Sequence, residues 1–290
     1  MIILVTGASS GLGGALLRRL SNCSGLEMKA MVHRSFVNLS GCESLQGDLD
    51  SPESLARAVE GVDTVIHMAA LTHSARESEY FKVNVTGTQN LIEACVLAGV
   101  KRIIYISSSA VSAEGGGYSR SKMEAEECVK RSGLSWLILR PSEVYGQGTG
   151  DTINRLVEWV RKYPCVPVVG AGTALFSPVY VDDVVSAMTL SILDAKLESE
   201  TVLLAGPEAL TFVELVNRIA KYFKVRRFKL HLPVRLIKFV ASFLSFLGIE
   251  VLVPDQIPRL LCSKDHGIHK TSALISYSPR KLEEGLKKYL

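Results

Sequence analysis

The sequence contains no C-x-x-C pair. Its six cysteines, Cys23, Cys42, Cys95, Cys128, Cys165 and Cys262, are scattered, which excludes a zinc ribbon or a dithiol redox motif and suits the reduced thiols of a cytosolic protein. It also lacks an excess of one charge. The 33 Lys and Arg are set against 29 Asp and Glu, so no nucleic acid or anionic membrane is held by net charge alone. The six histidines are dispersed, and His266-Gly-Ile-His269 has no further ligands at suitable spacing, so no metal site is expected. Repeats, low-complexity tracts and charged tails are missing.

No apolar run is long enough to span a membrane. The most hydrophobic stretch, Pro233 to Pro254, is broken by Arg235, Lys238 and Glu250, and its uncharged part from Phe239 to Ile249 falls short of the roughly 20 residues a spanning helix needs. It reads as a core helix of a C-terminal region, with a membrane-surface helix as the alternative. The chain opens at once on the apolar run Met1–Val5 without a basic leader region, which reads as a strand and not as a signal peptide; the expected compartment is the cytoplasm.

What is present is a rhythm. The β-branched runs Ile2–Thr6, Lys29–His33, Thr64–Met68, Arg102–Ser107 and Ser135–Arg140 alternate with stretches of helical periodicity at Leu12–Ser21, Ser54–Glu60, Asn84–Leu97 and Tyr118–Arg131. Strands apolar on both faces suit a parallel sheet covered by helices. The fold class expected is α/β, a Rossmann doubly wound parallel sheet with a smaller C-terminal α/β substrate-binding region. Residues 1–165 are assigned to the dinucleotide-binding domain and 166–290 mainly to the substrate region, with about 176–205 returning to the sheet. Thr152–Lys162 reads as a helix, Thr211-Phe-Val-Glu214 as a capping box opening another, and Pro279–Tyr289 as a last one.

Thr6-Gly7-Ala8-Ser9-Ser10-Gly11-Leu12-Gly13 joins the first strand to the first helix. There a parallel sheet offers backbone N–H groups and a helix N-terminus to a pyrophosphate. Gly7 permits the tight turn, Gly11 the approach of the phosphates, Gly13 the packing of helix on strand; Ser9, Ser10 and Leu12 complete the cradle. At the end of the second strand, where a carboxylate would bind the adenosine ribose of NAD, stand His33 and Arg34. A guanidinium there pairs with a 2′-phosphate, so NADP is favoured over NAD.

Tyr118-Ser-Arg-Ser-Lys122 sets a phenol and an ammonium four residues apart on one helix face. The cation favours the phenolate, and the hydroxyl then exchanges a proton while hydride moves to or from a nicotinamide. Tyr277-Ser-Pro-Arg-Lys281 has the same spacing but holds a proline and lies near the C-terminus. Tyr118, by contrast, follows the fourth strand and Ser107-Ser108-Ser109, whose hydroxyls sit at the ligand end of a parallel sheet. Ser109 is the candidate to hydrogen-bond the reacting oxygen, with Ser108 second; Ser107 is assigned to the cofactor.

With these residues in order, the chain resembles the extended short-chain dehydrogenases, the NAD-dependent epimerase/dehydratase family, over nearly its whole length. Gly47-Asp48-Leu49 resembles the family's adenine contact, and Val65-Ile-His-Met68-Ala69-Ala70 the strand whose alanines line the cofactor ribose. Asn84-Val-Thr-Gly-Thr88 resembles the helix with a structural asparagine. Leu139-Arg-Pro141-Ser-Glu-Val144-Tyr-Gly146 resembles the segment beside the nicotinamide, and Val179-Tyr-Val-Asp-Asp183 the return strand. The resemblance implies a small-molecule substrate and a homodimer formed through the helices near Asn84–Leu97 and Tyr118–Arg131.

It also narrows the reaction. Dehydratases of the family carry an Asp-Glu pair after the catalytic threonine, where this chain has Ala110-Val111, so dehydration is disfavoured. The stretch Ala110–Gly117 is shorter than the corresponding loop of typical nucleotide-sugar epimerases. Three functions are weighed: an NAD(P)-dependent 4-epimerase or 4-keto-reductase of a nucleotide sugar, an NADPH-dependent reductase or dehydrogenase of an apolar ketone or alcohol of the steroid or dihydroflavonol type, and a non-catalytic dinucleotide-binding subunit.

Overall fold

A computed structural model describes residues 1–33, 35–148, 152–194, 196–246 and 254–289. The first half alternates as expected: β1 (Ile2–Thr6), α1 (Gly11–Leu20), β2 (Glu27–Val32), β3 (Cys42–Gln46), α2 (Pro52–Val59) and β4 (Thr64–His67). There follow α3 (Glu77–Phe81), a π-helical turn (Lys82–Thr86), α4 (Gly87–Ala98), β5 (Arg102–Ile106), α5 (Gly116–Lys130) and β6 (Ser135–Pro141). The second half comprises β7 (Val144–Tyr145), α6 (Thr152–Lys162), β8 (Cys165–Val169), β9 (Leu175–Phe176), β10 (Val179–Tyr180), α7 (Val181–Leu193) and β11 (Glu200–Leu204). It closes with β12 (Leu210–Thr211), α8 (Phe212–Tyr222), β13 (Phe228–Leu232), α9 (Val234–Phe246), α10 (Gln256–Leu261), α11 (His269–Ile275) and α12 (Leu282–Tyr289).

Seven parallel strands form the central sheet in the order β11-β6-β5-β4-β1-β2-β3. Successive residues point to opposite faces. Ile3, Val5, Ile66, Ile104, Ile106, Leu137 and Leu139 therefore pack with Leu16, Leu17 and Leu20 of α1 and Met188 and Ile192 of α7. On the other face Leu4 and Val65 meet Leu55 and Val59 of α2 and Leu91 and Cys95 of α4, while Ile103, Tyr105 and Ile138 meet Ala125 and Val129 of α5. Burying each such leucine contributes about 2 kcal/mol.

Four expectations are corrected. β3 was not expected; its pattern is mixed because it is the sheet edge, covered less completely. Within the expected range of about 176–205 the return to the sheet is made by β11, and not by the Val179–Asp183 stretch: Val179–Tyr180 pairs with β7, and Leu175–Phe176 with β12. Asp182 and Asp183 lie in the first turn of α7 and not on a strand, and Asp183 binds Arg280 through Nε at 2.9 Å and Nη2 at 2.7 Å. Finally, the described part of the apolar stretch after Pro233 does not pack as a core helix: among the described side chains of α9 only Ala241 is buried. No described helix is long and apolar enough to cross a membrane.

Candidate active site

The strand order reverses between β1 and β4, and the crevice of a doubly wound sheet opens there, beyond the strand ends. The glycine turn forms one wall. Gly7 has φ +67°, and a Cβ on it would come within 2.7 Å of Ala69 N; a Cβ on Gly13 would meet Gly7 O at 2.6 Å. Only glycine fits either place. Ser10 is the N-cap of α1, its hydroxyl accepting from Gly13 N at 3.0 Å, so that oxygen is already engaged. Ser9 is exposed, and Gly11 and Leu12 open the helix half-buried.

The opposite wall is the turn after β4. Thr6 Oγ1 accepts from Met68 N (3.2 Å) and Ala69 N (3.1 Å) and contacts His67 Nδ1 at 2.7 Å. Thr88 Oγ1 donates to Asn84 O at 2.6 Å, so at His67 Nε2, 3.0 Å away, it must accept. The network thus assigns the proton to Nε2 and makes Nδ1 an acceptor for the Thr6 hydroxyl. Burial, reinforced by the Lys122 cation, holds His67 neutral by bringing its pKa down to about 3.

Asn84 sits in the π-helical turn, a distortion that aims its side chain out of the helical ladder. Its amide oxygen accepts from Leu71 N (2.7 Å), and its nitrogen donates to Leu71 O (3.1 Å) and Ser121 Oγ (2.9 Å); Ser121 donates to Tyr118 O at 2.8 Å. One side chain therefore ties the turn bearing Met68, Ala69 and Ala70 to the helix bearing Tyr118 and Lys122.

Lys122 is almost fully buried. Its Nζ donates to Ile106 O, at the end of β5, at 2.8 Å and lies 4.0 Å from the Tyr105 ring centroid. Desolvation brings its pKa down to about 7, against an opposing pull from Glu126. Glu126 in turn accepts from Arg140 Nε of β6 at 2.8 Å, which fixes α5 to the sheet. Ser107 and Ser109 hang beside this point through Ser107 N to Leu139 O (2.7 Å) and Ser109 N to Pro141 O (2.9 Å). Both serines and Val144 are buried, and Ser107 Oγ has no partner among the described residues. Tyr277, the competing tyrosine, instead donates to Ala205 O at 3.0 Å in the core.

Beyond β2 and β3 a cavity of about 540 Å³ is lined by His33, Ser44, Gly47, Asp48, Ser54 and Arg57 among others. His33 Nε2 lies 3.2 Å from an Asp48 carboxylate oxygen. Leu49 is buried beneath the cavity, in the cluster of Val65 and Leu91. Arg34 lies outside the described residues.

Sequence reasoning missed the strap that crosses the site from the C-terminal side. Asp255 accepts from Gly117 N (2.5 Å) and Tyr118 N (3.4 Å), filling the place of an N-cap on α5, where Gly115 offers no side chain. The Arg259 guanidinium lies 4.6 Å from the Tyr118 ring centroid and donates to Thr72 O at 3.2 Å. Beneath it Tyr118 is only 8 % exposed. Farther along, Lys264 donates to Glu143 at 2.6 Å, and His266 Nδ1 is 2.7 Å from Ser177 Oγ. Glu143 also accepts from Ser177 N at 3.1 Å, so the strap is anchored on the segment beside Pro141 and Val144. The sequence carried one trace of it, the three glycines Gly115–Gly117: a Cβ on Gly116 would collide with Asp255 and Pro258.

Residues 3–205 match the NAD dependent epimerase/dehydratase family. The chain belongs to this family. Two Arabidopsis thaliana isoforms of a 3beta-hydroxysteroid-dehydrogenase/decarboxylase are 26 and 27 % identical to it over 84 % of the chain, and the chain spans 65 and 50 % of their lengths. A UDP-glucose 4-epimerase of Vibrio cholerae is 25 % identical over 98 % of this chain and 93 % of its own. Among solved structures, MoeE5 in complex with UDP-glucuronic acid and NAD superposes with a TM-score of 0.78 at 27 % identity, covering 99 % of this chain and 97 % of its own. In this chain the loop that Ala110 and Val111 open ends under the strap, with Gly116 against Asp255 and Pro258.

Proposed function

We propose that the chain is an NAD(P)-dependent oxidoreductase that moves a hydride between a nicotinamide and a carbinol or carbonyl carbon, with Tyr118 exchanging the hydroxyl proton. The observation that carries this is the setting of Tyr118 and Lys122 on one face of α5, Lys122 fastened to the end of β5 beside the crevice. A lysine titrating near neutrality takes and returns the proton that passes through the phenol. Ser109 aligns the reacting oxygen.

The residues suit a dinucleotide. The Gly7 and Gly13 cradle leaves no room for a Cβ, the N-terminus of α1 faces the crevice end of β1, and Ser107 Oγ is buried without a partner among the described residues. Gly7, Gly11 and Gly13 with the Ser9–Leu12 backbone hold the pyrophosphate. Asp48 and Leu49 border the adenine, Met68, Ala69 and Ala70 the ribose; Ser107, Pro141 and Val144 lie by the nicotinamide, and Lys122 holds its ribose. When bound, the nicotinamide supplies the hydride. His33, Arg34 and Arg57 favour the 2′-phosphate of NADP. In this reading residues 1–165 serve the cofactor and 166–290 mainly the substrate. Two copies pair through α4 and α5, where Val96, Leu97 and Met123 are exposed.

The substrate is a nucleotide sugar, acted on as a 4-epimerase or 4-keto-reductase. Burial, with the Arg259 and Arg155 charges behind it, holds His73 below its usual pKa, so two guanidinium groups act on His73, and one of them, Arg259, lies over the Tyr118 ring. A diphosphate draws the Arg259 guanidinium from the phenol face, since charge-assisted hydrogen bonds of about 1.5–3 kcal/mol exceed a cation–π contact of about 0.5–2. A second reading, a reductase or dehydrogenase of an apolar ketone or alcohol, is favoured by the steroid-dehydrogenase relatives and the exposed apolar face of α9. Turnover of UDP- and dTDP-sugars and of hydrophobic ketones decides. Sugar turnover that falls in Arg259→Ala supports the first reading, and activity confined to apolar ketones replaces it with the second.

A further inference from the structure

We propose that α9 docks this protein on an anionic lipid bilayer, lying in the membrane surface. The inference stands whichever substrate the active site takes. At about 100° per residue, three stripes run along the helix. Val234, Ile237 and the buried Ala241 face the protein. Leu236, Phe239 and Val240, 48, 70 and 41 % exposed, form a second apolar stripe turned to solvent, spanning an arc of about 100°. Arg235 borders it and Lys238 lies next along the same side, both exposed and without an ion pair among the described residues. Just before the helix, β13 exposes Phe228 and Leu230 as well.

The charge around this stripe is one-sided in a chain that is otherwise near balance. Between residues 215 and 249 there are eight Lys and Arg and no Asp or Glu, whereas the whole chain carries only +4; of the eight, Arg218 is paired with Glu208 and Glu283. An apolar arc with cations along one edge matches a bilayer, where Phe and Leu enter the acyl boundary and Arg and Lys meet lipid phosphates. The same face on a second copy would set Arg235 and Lys238 against their own like. A nucleic acid would use the cations and leave Phe239 in water. At about 1.5 Å per residue, the 13 residues of α9 reach about 20 Å, short of the roughly 30 Å hydrocarbon core, so the helix lies along the surface.

Co-sedimentation of the full chain with phosphatidylcholine vesicles, and with the same vesicles containing phosphatidylserine, tests the proposal. Circular dichroism checks that each variant is folded. The expected result is binding that needs phosphatidylserine, weakens with salt, and drops about tenfold or more in Phe239→Glu and in Arg235→Glu/Lys238→Glu. Leu190→Glu, altering an equally exposed leucine on α7, leaves it unchanged. The proposal is overturned if phosphatidylserine vesicles do not retain the protein, or if both α9 variants bind like the parent. It is also overturned if light scattering without lipid shows that Phe239→Glu separates a dimer, or if RNA binds through this face in place of vesicles.

Discussion

Replacing Asp255 by alanine removes the acceptor that the strap supplies to the first turn of α5. Of its two contacts, Gly117 N at 2.5 Å is a charge-assisted bond and Tyr118 N at 3.4 Å adds little. Loss of a hydrogen bond to a charged group costs about 1.5–3 kcal/mol, and loss of the carboxylate from a helix N-terminus a further ~0.5 kcal/mol. The expected total is about 2–3.5 kcal/mol. Lys264 and His266 still anchor the far end, so the cost falls on local opening and not on the whole fold. Hydrogen exchange of the peptide spanning residues 116–122 should therefore quicken by about 30- to 350-fold. Turnover should drop at least about tenfold as the phenol loses its position. Asp255→Asn, which keeps one acceptor oxygen but no charge, should lie between parent and alanine variant. Unchanged exchange and turnover in Asp255→Ala would refute the strap as a positioning device.

Other outcomes follow from the same geometry. Tyr118→Phe should cut turnover by about 10²–10⁴ while leaving dinucleotide titrations unchanged; unaltered activity would remove Tyr118 from the chemistry and return the non-catalytic reading. His67 is neutral when folded down to about pH 3, whereas the unfolded chain takes up its proton below about 6.5. Its contribution to stability is therefore lost as pH falls through that window, at up to about 1.4 kcal/mol per unit. Urea unfolding between these limits should show a shallower pH slope in His67→Gln, and equal slopes would contradict the buried neutral assignment. Lys122 has the same sign: between about pH 7 and its usual lysine value only the unfolded chain holds the proton. The parent should thus gain stability relative to Lys122→Met as pH rises above 7, and a difference independent of pH would count against burial of the amine. Asp183→Asn leaves Arg280 nearly buried against Tyr180 with one weaker partner; a loss of roughly 3 kcal/mol is expected by urea unfolding, and under about 0.5 kcal/mol would show the pair to be solvated.

Much of this fold was legible because its signals are local. Strands apolar on both faces, a glycine turn after the first of them and the Thr211–Glu214 capping box each declare themselves within a few residues, and each is found in place. Asn84 was legible by resemblance, and the structure supplies its reason in the bonds to Leu71 and Ser121. The strap was not legible. Asp255 meets Gly117 across 138 positions of sequence, and neither residue type announces a cap at that distance. The edge strand β3 has no fully buried residue, so its alternation is blurred. The helix after Pro233 misled because hydrophobicity reports that a side chain avoids water, not whether protein or lipid takes water's place.

The most direct test of the central claim is fluorescence titration with NADPH and NADH, followed by mixing the bound complex with nucleotide sugars and hydrophobic ketones. The account predicts saturable binding of both, tighter for NADPH, lost in Gly13→Ala because the new Cβ meets Gly7 O at 2.6 Å, and a change in nicotinamide absorbance with a carbonyl or carbinol partner that Tyr118→Phe abolishes. A chain that binds neither nucleotide, or binds them equally well in Gly13→Ala, would contradict it.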